Sequence, residues 1–222
     1  MRQSKKKLQD NQYTTFYLVR HGETEWNVKK IIQGQTDSSL TKTGTVQAKN
    51  LAKKLKRVYF DKIFSSDLFR AKRTAEIIAA EKRLAVATTK LLRERAFGKY
   101  EGWPIEKYYK NFEKYFVENK RLSEMEAYKR KPDKDIESDE EIVNRLITFI
   151  REVAIGYPGK TILVVTHGGI MRGFLIHLGY GTRKELPAGS IENTAYVKLL
   201  SDGTDFFIKE VVGVEKKVMV SG

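Results

Sequence analysis

Two short runs of apolar residues stand out against the mixed pattern of the rest of the chain. The first covers residues 16–19 and the second residues 162–165. Runs of this length are too short for a helix, and their aromatic and β-branched side chains are typical of strands that are covered on both faces. The pattern therefore predicts two buried strands, the first over about residues 14–20.

Helical spacing of apolar residues is found between and after these strands. Thr41 is the expected N-cap of a helix that reaches about residue 57, and Asp67 is the expected start of a second helix. Ser138 and Glu141 have the spacing of a capping box at the start of a third helix. A fourth helix is expected to begin near Gly169.

The remaining strands are shorter or less apolar. Residues 62–65 and 85–89 are predicted strands, and residues 195–200 and 206–212 are predicted to form two strands joined by a turn at Asp202-Gly203. Strands that alternate with helices are typical of α/β proteins. We therefore expect a three-layer α/β/α sandwich with a mostly parallel sheet, an antiparallel edge strand and a helical insertion.

The insertion is expected between residues 103 and 137, where aromatic residues are interleaved with charged ones. Tyr108, Phe112 and Phe116 have helical spacing. This aromatic stripe would either pack against the parent domain or form a lid over the site. We expect residues 14–222 to form a single domain that contains the insertion, preceded by a flexible basic tail over residues 1–13.

Composition narrows the possible functions. The chain has 222 residues with 42 basic and 28 acidic side chains, which gives a formal net charge of +14. A solvated basic surface that attracts small anionic substrates is the favoured interpretation, because no nucleic-acid recognition motif accompanies the charge. The absence of cysteine excludes disulfides and a thiol nucleophile. No apolar run approaches a membrane span, so we expect a cytoplasmic protein without a membrane partner.

Two of the three histidines directly follow the two apolar runs, and each is followed by glycine. Ligands of open α/β sheets bind beyond the carboxyl ends of the strands, so His21 and His167 are expected to face one pocket. Arg20 beside His21 suits an anionic substrate. The third histidine, His177, lies in a helical stretch with core spacing and is expected to serve packing.

A longer set of motifs resembles those of the histidine phosphatase superfamily, which includes cofactor-dependent phosphoglycerate mutases and fructose-2,6-bisphosphatases. The first is Arg20-His21-Gly22-Glu23-Thr24 with Asn27. Others follow in the family's order at residues 33–35, 40–44, 65–71, 92–98, 101–102, 137–138 and 166–169. The resemblance spans about residues 14–200.

The resemblance implies a catalytic set. His21 matches the nucleophile that becomes phosphohistidine, Arg20 and Arg70 match the phosphate-clamping arginines, His167 matches the second histidine, and Glu94 matches the general acid. An imidazole with a pKa of about 6.5 is substantially neutral at cytoplasmic pH, so it can attack phosphorus. The expected pocket needs neither a metal nor a cofactor, because positive charge on the protein stabilises the transferring oxygens.

Further residues are expected to bind the phosphoryl group or the substrate. Asn27 and Gln33 would donate hydrogen bonds, Gly34 lies in the same motif, and the amides after Gly168 would add donors at a helix N-terminus. Arg95 would either bind a second anionic group of the substrate or face solvent. Two other acidic side chains are weaker candidates for chemistry: Glu101 is the substitute for the acid, and Glu23 is expected to orient its neighbours.

Phosphohistidine can transfer its phosphoryl group to water or to a second hydroxyl group. The family's mutases carry a longer insertion with paired arginines and a proline-rich run, whereas this chain has Arg130-Lys131-Pro132 in a looser context. The local motifs are nearest to fructose-2,6-bisphosphatase-like regulators. We therefore expect a phosphatase acting on small phosphorylated metabolites, such as sugar phosphates or phosphorylated acids, as a monomer or homodimer. A phosphoglycerate mutase and an inactive basic binding protein are the alternatives.

Overall fold

The computed structural model describes residues 12–217, so most of the predicted basic tail lies outside the described residues. Six strands form one sheet: β1 (Thr14–Arg20), β2 (Lys62–Ser66), β3 (Val86–Thr89), β4 (Thr161–Thr166), β5 (Ile191–Ser201) and β6 (Phe206–Val214). Their order is β3-β2-β4-β1-β5-β6. Strands β1 to β4 are parallel, and β5 runs antiparallel to both β1 and β6. The predicted sheet with an antiparallel edge is confirmed.

Helices cover both faces of this sheet. They are α1 (Glu25–Val28), α2 (Lys42–Lys54), α3 (Phe69–Lys82), α4 (Ile105–Asn111), α5 (Glu113–Asn119), α6 (Glu124–Lys129), α7 (Asp139–Gly156) and α8 (Gly168–His177). Along β1, Phe16 and Leu18 pack with α7 and α8, while Tyr17 and Val19 pack with α2 and α3. Each large apolar side chain that is fully buried contributes about 1.5–3 kcal/mol. The two apolar layers therefore fix β1 in the centre.

Two helix starts show how local sequence and distant contacts compete. The capping box before α7 is confirmed, with Glu141 N donating to Ser138 Oγ over 3.1 Å. The predicted helix start at Asp67 is wrong, because its carboxylate accepts from Arg93 Nε over 2.8 Å instead. Helix α3 begins at Phe69, whose N–H donates to Asp37 Oδ2 over 2.7 Å. A carboxylate from a distant loop thus replaces the local cap.

The insertion forms three short helices, α4 to α6, rather than one long helix. Helices α4 and α5 are separated at Phe112, which leaves helical geometry with a ψ of 23°. Their aromatic side chains share a small core with Ile32 and Tyr100 outside the insertion. The interpretation that the stripe packs against the parent domain therefore agrees with the structure, while movement as a lid stays a prediction. Within residues 12–217, no helix has the length and hydropathy needed to cross a membrane.

Candidate active site

The two strand-end histidines lie side by side, as the sequence predicts. Strands β1 and β4 are parallel neighbours, and Arg20 pairs in register with Thr166. The residues that follow are therefore held together: His21 N donates to Thr166 O over 3.1 Å. The ring centroids of His21 and His167 are 5.2 Å apart. Both rings are buried at the carboxyl end of the sheet.

The His21 ring has one nitrogen engaged and one available. Its Nδ1 is 2.7 Å from Gly22 O, and a carbonyl oxygen can only accept, so Nδ1 carries the proton. Burial lowers the pKa of His21 well below 6.5, and the positive charges of Arg70 and Arg20 lower it further. The ring is therefore neutral at neutral pH. Its Nε2 has a free lone pair, which is the form a nucleophile needs.

The backbone around His21 is fixed by close packing and hydrogen bonds. A Cβ on Gly22 would lie 2.5 Å from Gly44 O, so only glycine fits there. Gly22 N donates to Thr74 Oγ1 over 3.1 Å, and Asn193 Nδ2 donates to His21 O over 3.1 Å. These contacts come from α3 and β5, and they fix the backbone that carries the His21 ring.

Arg20 and Arg70 approach the histidines from two sides. Arg20 Nη1 donates to Ile191 O over 2.5 Å, and burial lowers the pKa of Arg20 to about 10, against the opposing effect of Glu94. Arg70 is only 1% exposed and donates to Gly34 O over 2.6 Å and Thr36 O over 2.9 Å. It also forms an ion pair of 3.0 Å with Asp37. Both guanidinium groups remain charged at neutral pH.

Four polar atoms around His21 are buried without a hydrogen-bond partner among the described residues. They are Nε of Arg20, Nε of Arg70, and both Nδ1 and Nε2 of His167. Buried polar atoms are normally paired, because an unmade hydrogen bond costs about 1–3 kcal/mol. Burial also lowers the pKa of His167 well below 6.5, with Arg70 and His21 adding to the shift. The two arginine N–H groups and the single N–H of a neutral His167 are suited to an anion that carries several acceptor oxygens.

Glu94 lies at the start of α8 and accepts three backbone hydrogen bonds. Gly169 N donates over 2.8 Å, Ile170 N over 3.1 Å and Arg95 N over 2.8 Å. A Cβ on Gly169 would lie 2.5 Å from Glu94 Oε1, so a glycine there admits the carboxylate. The expectation that the amides after Gly168 serve the phosphoryl group is therefore wrong for Gly169 and Ile170, whose N–H groups bind Glu94.

The other predicted binding residues also line the cavity, and they differ in which of their polar atoms are already hydrogen-bonded. Asn27 Oδ1 accepts from Thr24 N over 3.1 Å in a capping box, so the side-chain nitrogen of Asn27 takes no part in this cap. Gln33 Oε1 is buried without a partner in the described chain. Gly34 has a φ of +55°, and its carbonyl binds Arg70 as described above. The structure thus brings all three to the same cavity as His21.

Arg95 does not face solvent, so that alternative is wrong. Its side chain is 17% exposed, its Nη2 forms an ion pair with Asp139, and its Nη1 donates to Glu137 O over 2.5 Å. Asp139 is the first residue of α7, which begins directly after the insertion. Arg95 therefore lines the cavity while being held by protein partners.

Three other expectations can now be checked. Glu101 is occupied as a structural acceptor, since it accepts from Gln35 N over 2.9 Å, Phe97 N over 3.0 Å and Thr36 Oγ1 over 2.6 Å. Glu23 accepts from Thr41 Oγ1 over 2.7 Å and so orients the start of α2. His177 serves packing as expected, since its ring stacks on Tyr128 at a centroid distance of 5.8 Å, but it is exposed and not part of the core that its spacing indicates.

The cavity beyond His21 has a volume of about 610 Å³ and extends to the insertion. Sequence reasoning missed Arg172 and Arg183, which line its far part. Arg172 follows Gly168 by four residues on a helix, so helical spacing alone could have placed it near the site. No comparable signal marks Arg183, which lies in a loop. Among residues 12–217, no cluster of three or more His, Asp or Glu side chains could hold a metal ion.

We expect the free energy of unfolding to fall as the pH drops below about 6.5. The folded-state pKa values of His21 and His167 are lowered, so the unfolded chain takes up these protons first. Above about pH 6.5, the two neutral histidines make their full contribution to the free energy of unfolding. As the pH falls toward the folded-state pKa values, each histidine loses up to about 1.4 kcal/mol of this contribution per pH unit. Urea unfolding between about pH 5.5 and 7.5 measures this slope.

A His167→Asn variant provides the test of that slope. It should show a flatter dependence on pH, because one titrating ring is gone. His177→Asn is the comparison variant: burial lowers the pKa of His177 as well, but less far than that of His167, so its removal should flatten the slope less. An identical slope for His167→Asn and the wild type would contradict the depressed pKa of His167.

Comparisons with known proteins identify the family of this chain. The family model described as histidine phosphatase superfamily (branch 1) matches residues 16–212. A Bacillus subtilis protein described as the uncharacterized phosphatase PhoE is 36% identical over 171 residues, which cover 76% of this chain and 79% of the relative. A broad-specificity phosphatase of Saccharomyces cerevisiae is 32% identical over 184 residues, covering 77% and 73%. The crystal structure of a phosphoglycerate mutase from Bacillus anthracis superposes with a TM-score of 0.77 at 26% identity, covering 92% and 95%. On these matches and on its motifs, the chain belongs to the histidine phosphatase superfamily.

Proposed function

We propose that this protein is a metal-independent phosphatase that hydrolyses phosphate monoesters of small metabolites through a phosphohistidine intermediate on His21. One observation carries the proposal. A neutral His21 with a free Nε2 lies beside buried, unpartnered polar atoms of Arg20, Arg70 and His167. Such an arrangement offers a nucleophile together with donors for the oxygens of a phosphoryl group.

The first step forms one bond and breaks another. His21 Nε2 attacks phosphorus, and the bond between phosphorus and the ester oxygen breaks. The leaving oxygen takes a proton from Glu94, which then remains as a carboxylate. Arg20 and Arg70 stabilise the charge on the transferring oxygens, because their positions are fixed before the reaction by contacts with the protein.

The second step consumes one water molecule. The Glu94 carboxylate accepts a proton as the water oxygen attacks phosphorus, and the bond between phosphorus and His21 Nε2 breaks. Inorganic phosphate leaves and Glu94 is protonated again, so the cycle is balanced. The three backbone N–H groups around Glu94 keep its oxygens in one orientation through both steps.

The alternative acceptor is a second hydroxyl group of the substrate, which would make the protein a phosphoglycerate mutase. A structural relative with that title aligns with 92% of this chain, and relatives described as phosphatases align with about three quarters of it, so both reactions have relatives of this fold. Hydrolysis is favoured because the insertion has Arg130-Lys131-Pro132 where the resemblance gives mutases paired arginines and a proline-rich run. The nearer likeness to fructose-2,6-bisphosphatase-like regulators stays a prediction.

With 3-phosphoglycerate as substrate and excess EDTA present, we expect free phosphate and glycerate as the products. The expectation follows from water being the acceptor and from a pocket built of protein donors. Phosphorus NMR of the reaction mixture distinguishes phosphate from 2-phosphoglycerate. A parallel reaction primed with 2,3-bisphosphoglycerate is the control. Accumulation of 2-phosphoglycerate in that control would establish the mutase and overturn the proposal.

A further inference from the structure

The start of strand β5 departs from regular pairing at the place where β1 ends. Residues 192–195 form a bulge, because the register between β5 and β6 shifts between Ile191 and Tyr196. Within this bulge Thr194 has a φ of +60°, in the left-handed region that a β-branched residue adopts only with steric strain. Strained backbone persists where the surrounding structure requires it, and it is concentrated at functional sites. The strain at Thr194 therefore points to a function of this bulge.

The bulge holds the backbone carbonyl of the candidate nucleophile. His21 O accepts from Asn193 Nδ2 over 3.1 Å and from Thr194 N over 3.3 Å. The two donors belong to consecutive residues, so the backbone conformation at Thr194 sets the position of both. Ile191, directly before the bulge, accepts from Arg20 Nη1 over 2.5 Å. Two neighbouring residues of the phosphoryl site are thus tied to one short segment of β5.

The side-chain amide of Asn193 also reaches a second residue of the site. Besides His21 O, its Nδ2 donates to Asn27 Oδ1 over a longer distance of 3.4 Å. Asn27 Oδ1 accepts from Thr24 N and Thr24 Oγ1 as well, so three donors converge on this oxygen. The Nδ2 atom of Asn27 makes no hydrogen bond within residues 12–217. Because Asn27 lines the cavity, its Nδ2 is left as a donor for a bound ligand.

Asn193 lies behind the residues that face the cavity. Arg20, His21 and Asn27 line the cavity, whereas Asn193 is not among the described residues that do so. It therefore has no contact with a ligand in the cavity and acts through its two acceptors. A side chain that holds a nucleophile and a ligand-binding amide relative to each other reduces the motion that must be lost before reaction.

We propose that Asn193 is a positioning residue that fixes the nucleophile His21 and the phosphate donor Asn27 relative to each other. The bulge presents the Asn193 side chain to both, and the left-handed conformation at Thr194 is retained because this arrangement requires it. The inference rests on the proposed function, since it takes His21 as the phosphoryl acceptor. Sequence spacing gave no signal for it, because Asn193 is 172 residues from His21 and 166 from Asn27.

The affinity for inorganic phosphate gives the first test, because it does not depend on turnover. In Asn193→Ala we expect the Kd of phosphate to rise about tenfold, since Asn27 is no longer held as a donor to a charged ligand. In an Asn27→Ala background, the same replacement should raise Kd by less than about threefold, because the donor that Asn193 positions is gone. Isothermal titration calorimetry measures Kd separately from the binding-competent fraction, so a partly unfolded variant cannot imitate this coupling.

Turnover gives the second test, through the position of His21. In Asn193→Ala, kcat/KM should fall about 10- to 100-fold, and by the same factor for p-nitrophenyl phosphate and glycerol 3-phosphate, because the nucleophile is displaced and the general acid is not. Asn193→Asp keeps the shape of the side chain but has no donor when ionised, so it should lose at least as much. Glu192→Gln is the matched control, because Glu192 is an exposed neighbour in the same bulge and does not line the cavity.

The two proposals fail in distinguishable ways. If the wild type binds phosphate but releases none from either ester, the proposed function has failed, and the Kd values alone decide the role of Asn193. If the wild type is active and Asn193→Ala matches it in Kd and kcat/KM, the function stands and the positioning role is wrong. An equal rise in Kd with and without Asn27 would also overturn that role, since the two side chains would then act independently. A wild type that neither binds nor releases phosphate would refute both.

Discussion

Replacing His21 with alanine should lower the turnover of p-nitrophenyl phosphate by a factor on the order of 10⁴ or more, because the phosphoryl acceptor is lost. His167 cannot take over, since its ring is centred 5.2 Å from that of His21 and is not positioned by the Gly22 carbonyl. The measurement is the steady-state release of p-nitrophenol by the purified variant at saturating substrate.

Two controls separate loss of the nucleophile from loss of the fold. His177→Ala removes an exposed ring of the same kind and should retain activity near that of the wild type. The thermal transition of His21→Ala should remain cooperative, because the contacts from Thr74 and Asn193 to this segment involve its backbone. Rapid quenching of the wild type with alkaline SDS during turnover of labelled substrate should trap phosphohistidine at residue 21, because the P–N bond is stable in base and is lost on later acid treatment. Unchanged activity of His21→Ala would refute the mechanism.

The central strands and the paired histidines could be predicted because their cause is local. Four consecutive apolar residues in β1 and β4 require burial on both faces, and burial places such strands in the centre of a sheet. Each strand then delivers the residue after it to the same edge. His21 and His167 thus meet as a consequence of two short runs of sequence.

The contacts that position the side chains of the site could not be predicted, because they join segments that are distant in the sequence. Asp37 caps α3 and pairs with Arg70, which is 33 residues further along the chain. Glu94 binds the amides of Gly169 and Ile170, which are 75 and 76 residues away. Such pairs depend on how loops fold over the sheet, and sequence spacing carries no information about that.

The residue assignments that failed share the same physical reason. Asp67 is a residue type that often starts a helix, yet both of its carboxylate oxygens accept from Arg93 and so do not cap α3. For Arg95, the solvent-facing alternative is wrong because Asp139 holds the side chain at the cavity wall. In each case a charged partner from another element decides the side chain's role.

Replacing Glu94 with glutamine should lower kcat/KM by a factor that depends on the leaving group of the substrate. For glycerol 3-phosphate, whose alkoxide needs a proton, kcat/KM should fall by roughly 10²–10⁴, the usual contribution of a general acid. For p-nitrophenyl phosphate, whose leaving group is stable as an anion, kcat/KM should fall by less than about tenfold, because this parameter reports the first step. The ratio of the two losses is the quantity to measure.

The same variant should also separate the two steps of the reaction. Glu94 is expected to activate the water, so Glu94→Gln should release p-nitrophenol in a burst that matches the enzyme concentration and is followed by slow turnover. Glu101→Gln is the matched control, since Glu101 accepts from Gln35 N and Thr36 N in a loop. Any loss of kcat/KM in this variant should be the same for both esters. Glutamine cannot accept at its Nε2, so one N–H at the start of α8 loses its partner, and thermal unfolding must be followed beside the kinetics. Equal losses for both esters, without a burst, would show that Glu94 only positions the helix and that the proton comes from another group.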